Sequence, residues 1–297
     1  MSTMKGRICI ITGSNSGIGK ETAMGLAKMG ATIIMVVRDQ DRGEKARTEI
    51  MKQTGNNSVD LMICDLSSMS SIRHFAEEFK KKYDRLDVLI NNAGAVFNKR
   101  EVTREGFERT LAVNYLGPFL LTRELTDLLK SSAPSRIINV SSGLAKDGKV
   151  DLDDLQSGKN YSGTKAYSRV RAPVYANAKL MVMMFTYELA RRLKGSGVTI
   201  NVLMPGFTAT NLGKSSGSLS SSIMFKIVRP MQISAKKGAE TSLYLASSDD
   251  VKDITGKCFA KKKEVKTCPA SYDEELQKRL WNKTESMLGL APDRSIL

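Results

Sequence analysis

The stretch Ile8-Cys-Ile-Ile-Thr-Gly-Ser-Asn-Ser-Gly-Ile-Gly19 joins a short apolar run to a glycine-rich turn, and residues 20–29 follow it with helical periodicity. We interpret this order as a buried strand, a tight turn and a helix. Glycines in such a turn let the backbone approach a diphosphate, and the N-terminus of the helix supplies N–H donors and a favourable dipole. The spacing Gly-x-x-x-Gly-x-Gly differs from the more usual Gly-x-Gly-x-x-Gly, and glycine turns after strands also occur for structural reasons.

Apolar strands and helices continue to alternate along the chain. Further strands are predicted at Ala31–Val37, Val59–Cys64, Leu86–Ile90, Arg136–Val140, Val198–Leu203 and, as a short last one, Ile254–Phe259. Further helices are predicted at about Asp41–Lys52, Ser70–Lys82, Phe107–Leu129 and Val174–Lys194. This alternation indicates a Rossmann-like α/β fold, a single domain over residues 1–297 with a doubly wound parallel sheet and helices on both faces. Ligands bind such sheets at the carboxyl ends of the strands.

The composition excludes several kinds of chemistry. The 297 residues include one histidine, His74, which lies in the pattern of a helix surface, so sites that need two imidazoles are excluded and no metal site is predicted. Four dispersed cysteines form no C-x-x-C pair, which indicates a reducing compartment. The apolar run at 8–11 is too short for a signal segment, and no run reaches the length of a spanning helix. We therefore expect a cytoplasmic protein.

The net charge of +15 suggests a nucleic acid, an anionic membrane or a phosphorylated small molecule as partner. Basic residues cluster modestly at Lys80–Lys82, Lys236–Lys237 and Lys261–Lys263, without the interleaved aromatic residues of a nucleic-acid binder. We predict no nucleic-acid partner. A weak attraction of these clusters to anionic membranes remains open, and it would bring an apolar substrate nearby.

Four motifs in this order resemble the short-chain dehydrogenase/reductase family: Thr12-Gly-x-x-x-Gly-Ile-Gly, Asn91-Asn-Ala-Gly, Tyr175-x-x-x-Lys179 and Pro205-Gly206. The resemblance covers nearly the whole chain, and Arg38-Asp39 and Leu280-Trp are similar to its retinol dehydrogenase-like branch. It implies hydride transfer between a nicotinamide dinucleotide and a small or apolar alcohol or carbonyl, such as a retinoid, a lipid, an aldehyde or a ketone. Monomers and homo-oligomers both fit this resemblance. The alternative is a non-catalytic dinucleotide sensor or scaffold on the same fold.

The resemblance also implies a set of cofactor-binding residues at the strand ends. They are Gly13, Asn15, Ser16, Gly17, Ile18, Gly19, Arg38, Asp65, Leu66, Asn92, Ala93, Gly94, Tyr175, Lys179, Pro205, Gly206, Thr208 and Thr210. Thr210 is preferred near the nicotinamide amide, with Thr208 as a close competitor. Charge predicts NADP(H) over NAD(H), because Arg38 directly follows the second strand and a guanidinium can pair with a 2′-phosphate. Asp39 would suit NAD(H) if that strand ended one residue later.

Tyr-x-x-x-Lys occurs twice, and a pair four residues apart meets on one face only in a helix. The copy Tyr161–Lys165 contains a glycine and is followed by Pro173, which argues against a continuous helix. The copy Tyr175–Lys179 leads into a run without Pro or Gly up to Gly195, so we predict it to be the catalytic one.

One departure from the family concerns the residues before that pair. Counted from Ser142, the spacing of the branch leads us to expect the tyrosine near Tyr167. Residues 168–174 therefore look like an insertion before the catalytic helix, which affects the expected shape of the substrate pocket.

The predicted catalytic residues are Asn114, Ser142, Tyr175 and Lys179. Tyr175 exchanges a proton with the substrate oxygen, while the positive charge of Lys179 favours the phenolate. By the resemblance, Lys179 also holds the nicotinamide ribose, and Ser142 hydrogen-bonds the substrate oxygen, with Ser141 as the runner-up. Asn114 supports a water-linked proton path to the lysine. Residues 211–235, which include several apolar side chains, are expected to cover the substrate as a lid.

Overall fold

A computed structural model of the chain describes residues 3–97, 99–159, 161, 173–206 and 234–291. Its strands are β1 Ile8–Thr12, β2 Thr32–Val37, β3 Val59–Ile63, β4 Val88–Asn91, β5 Ser135–Val140, β6 Val198–Leu203, β7 Cys258–Ala260 and β8 Lys263–Glu264. Within this part of the chain they form one sheet in the order β3-β2-β1-β4-β5-β6-β7-β8. Strands β1 to β7 pair in parallel, and β8 turns back antiparallel to β7. The predicted doubly wound sheet is confirmed.

Helices cover both faces of this sheet. They are α1 Gly17–Lys28, α2 Gln40–Thr54, α3 Met69–Lys82, α4 Arg109–Leu111, α5 Gly117–Ser131, α6 Pro173–Arg192, α7 Ala235–Ser247 and α8 Glu274–Met287. Apolar residues of α3, α5, α6 and α8 form one buried cluster against the sheet. Residues of α1, α2 and α7 form a second cluster on the opposite face. No helix within the described ranges is long and apolar enough to cross a membrane.

The predicted long helix from Phe107 to Leu129 is wrong at its start and in its middle. Phe107 and Glu108 precede the helix, because the buried Glu108 carboxylate caps α4 by accepting the N–H groups of Thr110 and Leu111 at 2.8 and 2.7 Å. Residues Ala112–Leu116 then form a π-helical turn between α4 and α5. Pro118 contributes to this break, since it has no N–H to donate to the carbonyl four residues before it.

The predicted last strand at Ile254–Phe259 is also wrong in its first half. Gly256 has a φ of 69°, a left-handed conformation that belongs to a turn, and β7 begins at Cys258. The other predicted strands are confirmed to within two residues at each end. The prediction for α6 is confirmed as well, with Pro173 in the first turn, where its missing N–H costs nothing.

The helix α8 completes the larger buried cluster. The Trp281 ring centroid lies 4.7 Å from that of Phe119 on α5 and 5.9 Å from that of Phe185 on α6. The Arg192 guanidinium lies 4.4 Å from the Trp281 ring centroid, and the Tyr115 and Thr284 hydroxyls are 2.8 Å apart. The helix α8 therefore fills the space between α5 and α6.

Two of the three basic clusters are neighbours, because the turn between β7 and β8 contacts α7, where the Lys262 N–H donates to the Thr241 hydroxyl at 3.2 Å. One is the last turn of α3, one is the first turn of α7 and one is the turn between β7 and β8. Their weak attraction to anionic membranes stays a prediction.

Candidate active site

The glycine-rich turn between β1 and α1 forms a narrow cradle. Gly13 and Gly17 have φ values of 68° and 57°, which favour glycine. A Cβ atom on Gly19 would lie 2.4 Å from the Asn92 side-chain nitrogen and 2.5 Å from the Gly13 carbonyl oxygen, so a larger residue does not fit. The Ser16 side chain makes no capping bond to α1. The first N–H groups of this helix are thus left for an anion, and the cradle fits a diphosphate.

The side chain of Asn92 holds this cradle against the end of β4. Its Nδ2 donates to the Thr12 carbonyl at 2.8 Å, while the N–H groups of Asn92 and Ala93 donate to the Thr12 hydroxyl at 2.9 and 3.0 Å. The Asn92 side-chain nitrogen and the backbone N–H groups of Asn92 and Ala93 are thus engaged with Thr12 and fix this segment against the cradle.

The ends of β2 and β3 place the residues that bear on cofactor choice. Strand β2 ends at Val37, so Arg38 is the first residue beyond it, and its side chain is exposed. Asp39 caps α2, with Oδ1 accepting the Arg42 N–H at 3.0 Å. No hydrogen bond or ion pair joins Arg38 to any residue whose position the structure describes. Asp39 therefore has a structural task, while Arg38 is available to a ligand.

Asp65 and Leu66 follow β3 at the same edge of the sheet. The Cys64 N–H donates to the Val37 carbonyl at 2.9 Å, which brings this segment beside the end of β2. One carboxylate oxygen of Asp65 accepts the N–H and the hydroxyl of Ser67 at 2.9 and 2.7 Å, and Leu66 is buried. The Asp65 side chain thus stabilises its own turn, as strand-end carboxylates often do.

The first turn of α6 brings Tyr175 and Lys179 together on one face. The Lys179 Nζ lies 5.6 Å from the centroid of the Tyr175 ring, and both side chains are buried. Lys179 donates to the Val140 carbonyl at the end of β5 at 2.9 Å. The Ser142 hydroxyl, which follows the same strand, lies near enough to the Tyr175 hydroxyl to influence its pKa. The tyrosine, the lysine and the serine therefore meet at the carboxyl end of β5.

Burial controls the protonation of this pair. It raises the pKa of Tyr175 to about 12, while the neighbouring Ser142 hydroxyl acts in the opposite direction. It lowers the pKa of Lys179 to about 8. Lys179 was predicted to favour the phenolate, but the loss of water around the tyrosine is the larger effect in the structure. At neutral pH Tyr175 is protonated and Lys179 is mostly charged.

Lys179→Met is expected to raise the free energy of unfolding at pH 7 by about 1–3 kcal/mol, because it removes a buried charge that meets no carboxylate among the residues the structure describes. Below pH 8 that cost is fully present. Between pH 8 and 10.5 the folded protein has lost the proton that the unfolded chain still binds, so the difference between the variant and the wild type should shrink. Denaturant unfolding at pH 7 and pH 9.5 measures this.

The exposed Lys283→Met serves as the control and should change stability by less than about 0.5 kcal/mol at both pH values. A Lys179→Met variant whose stability difference is independent of pH would contradict the prediction.

Asn114 lies in the π-helical turn and joins it to the loop after β4. Its Nδ2 donates to the carbonyls of Ala95 and Thr110 at 2.7 and 2.8 Å, and its Oδ1 accepts the Ala95 N–H at 3.2 Å. A Cβ on Gly94 would lie 3.0 Å from Asn114 Oδ1 and 3.4 Å from Lys179 Nζ. The loop, the turn and the lysine therefore meet at Gly94. Pro118 has no N–H to donate to the Asn114 carbonyl, so the sequence itself contains a signal for a break in the α-helix at this point.

Ser141 and Ser142 have different tasks. The buried Ser141 hydroxyl donates to the Lys179 carbonyl at 2.8 Å and fastens α6 to β5. The Ser142 hydroxyl accepts the Leu144 N–H at 3.2 Å and reaches Tyr175. Of the two serines, Ser142 is the one beside the tyrosine hydroxyl.

Several predicted features lie partly or wholly outside the described residues. Thr208, Thr210, Lys165, most of the predicted insertion and nearly all of the predicted lid belong to this group. Pro205 and Gly206 follow β6, with Gly206 at a φ of 83°. Tyr161 lies in a loop and contacts Phe97 and Thr110. In the part of the chain that is described, no group of three or more His, Cys, Asp or Glu residues could hold a metal ion.

Comparison with curated proteins gives relatives over nearly the full chain. Retinol dehydrogenase 13 of Homo sapiens is 41% identical over 293 residues, which cover 97% of this chain and 86% of the relative. Retinol dehydrogenase 14 of Mus musculus is 41% identical over 299 residues, which cover 97% of this chain and 87% of the relative.

Solved structures share the fold. A Mycobacterium paratuberculosis protein superposes with a TM-score of 0.76 at 30% identity, over 98% of this chain and 96% of that one. A Beutenbergia cavernae structure that holds NADP at low occupancy superposes with a TM-score of 0.66 at 26% identity, over 87% of this chain and 96% of that one.

The pattern of one protein family, described as short chain dehydrogenase, matches residues 7–169 and 160–219. The two matched stretches overlap around the first Tyr-x-x-x-Lys copy. Together with the relatives, this match makes the chain an oxidoreductase that uses a nicotinamide dinucleotide and interconverts an alcohol and a carbonyl. The chain belongs to the short chain dehydrogenase family.

Proposed function

We propose that the chain is an NADP(H)-dependent oxidoreductase that interconverts an apolar, retinoid-like alcohol and its aldehyde or ketone. The observation that carries this proposal is the meeting of Tyr175, Lys179 and Ser142 at the sheet edge that also bears the glycine cradle. A protein that only sensed a dinucleotide would need the cradle but not a buried tyrosine with a lysine and a serine beside it.

Residues of the chain would bind the dinucleotide at two places, its diphosphate and its nicotinamide ribose. The cradle at Gly13–Gly19 and the start of α1 would bind the diphosphate, and Lys179, next to Gly94, would hold the nicotinamide ribose. When bound, the nicotinamide accepts or donates a hydride. The charge at Lys179 and the loop after β4, which Asn114 holds in place, would orient that end.

Proton transfer is assigned to the Tyr175 hydroxyl. With a pKa of about 12 it holds its proton at neutral pH and can donate it to a carbonyl oxygen during reduction. Ser142 orients that oxygen by a hydrogen bond, and the positive charge of Lys179 stabilises the phenolate that forms. In the oxidative direction Tyr175 must first lose its proton, so alkaline pH favours that direction.

The preference for NADP(H) is supported by the different surroundings of Arg38 and Asp39. Asp39 is engaged as the cap of α2, while Arg38 lies exposed directly beyond β2. A guanidinium in this place suits a 2′-phosphate, whereas a free carboxylate would suit the unphosphorylated ribose. The NADP bound in the B. cavernae structure agrees with this choice. An apolar, retinoid-like substrate is supported by the names of the curated relatives.

The purified chain should oxidise NADPH in the presence of an apolar aldehyde. We expect all-trans-retinal or a medium-chain aldehyde to give a higher kcat/KM than a short hydrophilic aldehyde or ketone, measured by absorbance at equal NADPH concentration. Faster turnover of the hydrophilic substrates would contradict the substrate class. NADPH binding without turnover of any carbonyl or alcohol would instead favour the dinucleotide sensor.

A further inference from the structure

Tyr161, the tyrosine of the first Tyr-x-x-x-Lys copy, contacts the loop that follows β4 and has no assigned role in proton transfer. The Tyr161 hydroxyl donates to the Phe97 carbonyl at 3.1 Å and lies 3.5 Å from the Thr110 hydroxyl. Burial raises the pKa of Tyr161, so the hydroxyl stays neutral and keeps its proton for donation. Phe97 follows the Asn-Ala-Gly segment, only three residues beyond Gly94, so it lies within about 11 Å of it.

The loop Ala93–Phe97, which we call the β4 loop, begins next to the glycine cradle and passes Asn114 and Lys179 at Gly94. Near the lysine it is held by Asn114, which bonds both the N–H and the carbonyl of Ala95. At its other end the Tyr161 hydroxyl holds the Phe97 backbone, and the Arg109 guanidinium lies 4.5 Å from the Phe97 ring centroid. Arg109 is itself paired with Glu101.

The segment before Tyr161 is attached to the start of α4. The Gln156 side-chain oxygen accepts the Glu108 N–H at 2.9 Å, and the buried Glu108 carboxylate caps the turn that leads to Asn114. Tyr161 lies five residues beyond Gln156, so its ring reaches the β4 loop from a segment anchored on α4. Asn114 and Tyr161, which hold the two ends of the β4 loop, are therefore linked to each other through the start of α4.

We propose that Tyr161 is a positioning residue: its hydroxyl fastens the far end of the β4 loop and so keeps this loop in place as one wall of the substrate pocket. The inference rests on the proposed function, because it assigns the wall to that active site. It also gives the first Tyr-x-x-x-Lys copy a task other than catalysis. Since Asn114 still holds the near end, loss of the Tyr161 hydroxyl should loosen the substrate wall and leave the proton-transfer groups in place.

Tyr161→Phe removes this hydroxyl and keeps the ring, and Tyr187→Phe is the matched control. Tyr187 lies on α6 outside the site described above, and its hydroxyl is 2.9 Å from the Thr267 hydroxyl. In Tyr161→Phe we expect KM for the carbonyl substrate to rise about 3- to 10-fold, with kcat and the NADPH Kd within about twofold of wild type. We expect amide hydrogen exchange at Ala93–Phe97 to speed up by a similar factor, and no such changes in Tyr187→Phe.

Two outcomes would overturn the positioning role of Tyr161, and a third would distinguish it from the proposed function. If KM and amide exchange in Tyr161→Phe match those of Tyr187→Phe, the positioning role is wrong. If Tyr161→Phe loses more than about 100-fold in kcat with unchanged exchange, Tyr161 is catalytic and the positioning role is again wrong. If the wild type turns over no substrate, faster exchange in Tyr161→Phe still supports the fastening of the loop, while the absent turnover counts against the proposed function alone.

Discussion

Tyr175→Phe is expected to lower kcat for carbonyl reduction by about 10²- to 10⁴-fold while NADPH binds with unchanged affinity. The substitution removes the hydroxyl that donates the proton and keeps the buried ring against Lys179. Substrate and cofactor can still bind, but the oxygen of the carbonyl then gains negative charge without a proton donor. Steady-state kinetics and a fluorescence titration with NADPH measure the two effects separately.

The control for this variant is Tyr187→Phe, which removes a hydroxyl from the same helix. It should keep kcat within about twofold of wild type. A Tyr175→Phe variant with nearly normal kcat would show that another group transfers the proton. A variant that loses NADPH binding to the same extent as activity would indicate a damaged fold rather than missing proton transfer.

Arg38→Gln is expected to lower kcat/KM with NADPH by about 10- to 100-fold and to change kcat/KM with NADH by less than about threefold. The guanidinium would make charge-assisted hydrogen bonds to the 2′-phosphate, each worth about 1.5–3 kcal/mol, and the unphosphorylated ribose of NADH offers no such partner. Glutamine keeps a polar side chain of similar length but removes the charge and the forked geometry. Kinetics with both cofactors at a fixed salt concentration test this.

Arg42→Gln removes a positive charge from the same exposed helix start and serves as the control. Arg42 meets Asp39 through its backbone N–H, so this substitution leaves the cap of α2 intact. If both variants weaken NADPH equally, the effect comes from the general positive field rather than from a contact of Arg38. A wild type with equal or better kcat/KM for NADH would overturn the cofactor assignment itself.

Much of the fold could be predicted because the strands are buried on both faces. Val36 and Val37, for example, belong to an uninterrupted apolar run, which is typical of a parallel strand covered on both faces. Gly13 marks the end of another such run, the one that forms β1. That Tyr175 rather than Tyr161 lies in a long helix is also predictable locally, because Pro173 is favoured in the first turn of a helix and disfavoured in its interior.

Other features depend on contacts that periodicity does not reveal. The π-helical turn around Asn114 is determined by the cap at Glu108, the missing N–H of Pro118 and the bonds of Asn114 to the β4 loop. These are distant or side-chain interactions superimposed on an apparently continuous helical pattern. The pKa of Tyr175 likewise depends on how much water α6 and its neighbours exclude, which spacing along the chain does not encode.

The position of α8 has a consequence for how this protein is made. Trp281 fills the space between Phe119 and Phe185, and Arg73 binds the Leu288 carbonyl at 2.9 Å, across 215 positions of the sequence. Until α8 has been synthesised, the side of both phenylalanines that Trp281 covers is exposed. The sheet can form before α8 is synthesised, but this part of the core closes only once α8 packs against α5 and α6. During that interval the exposed aromatic face is the part of the molecule on which a chaperone would act.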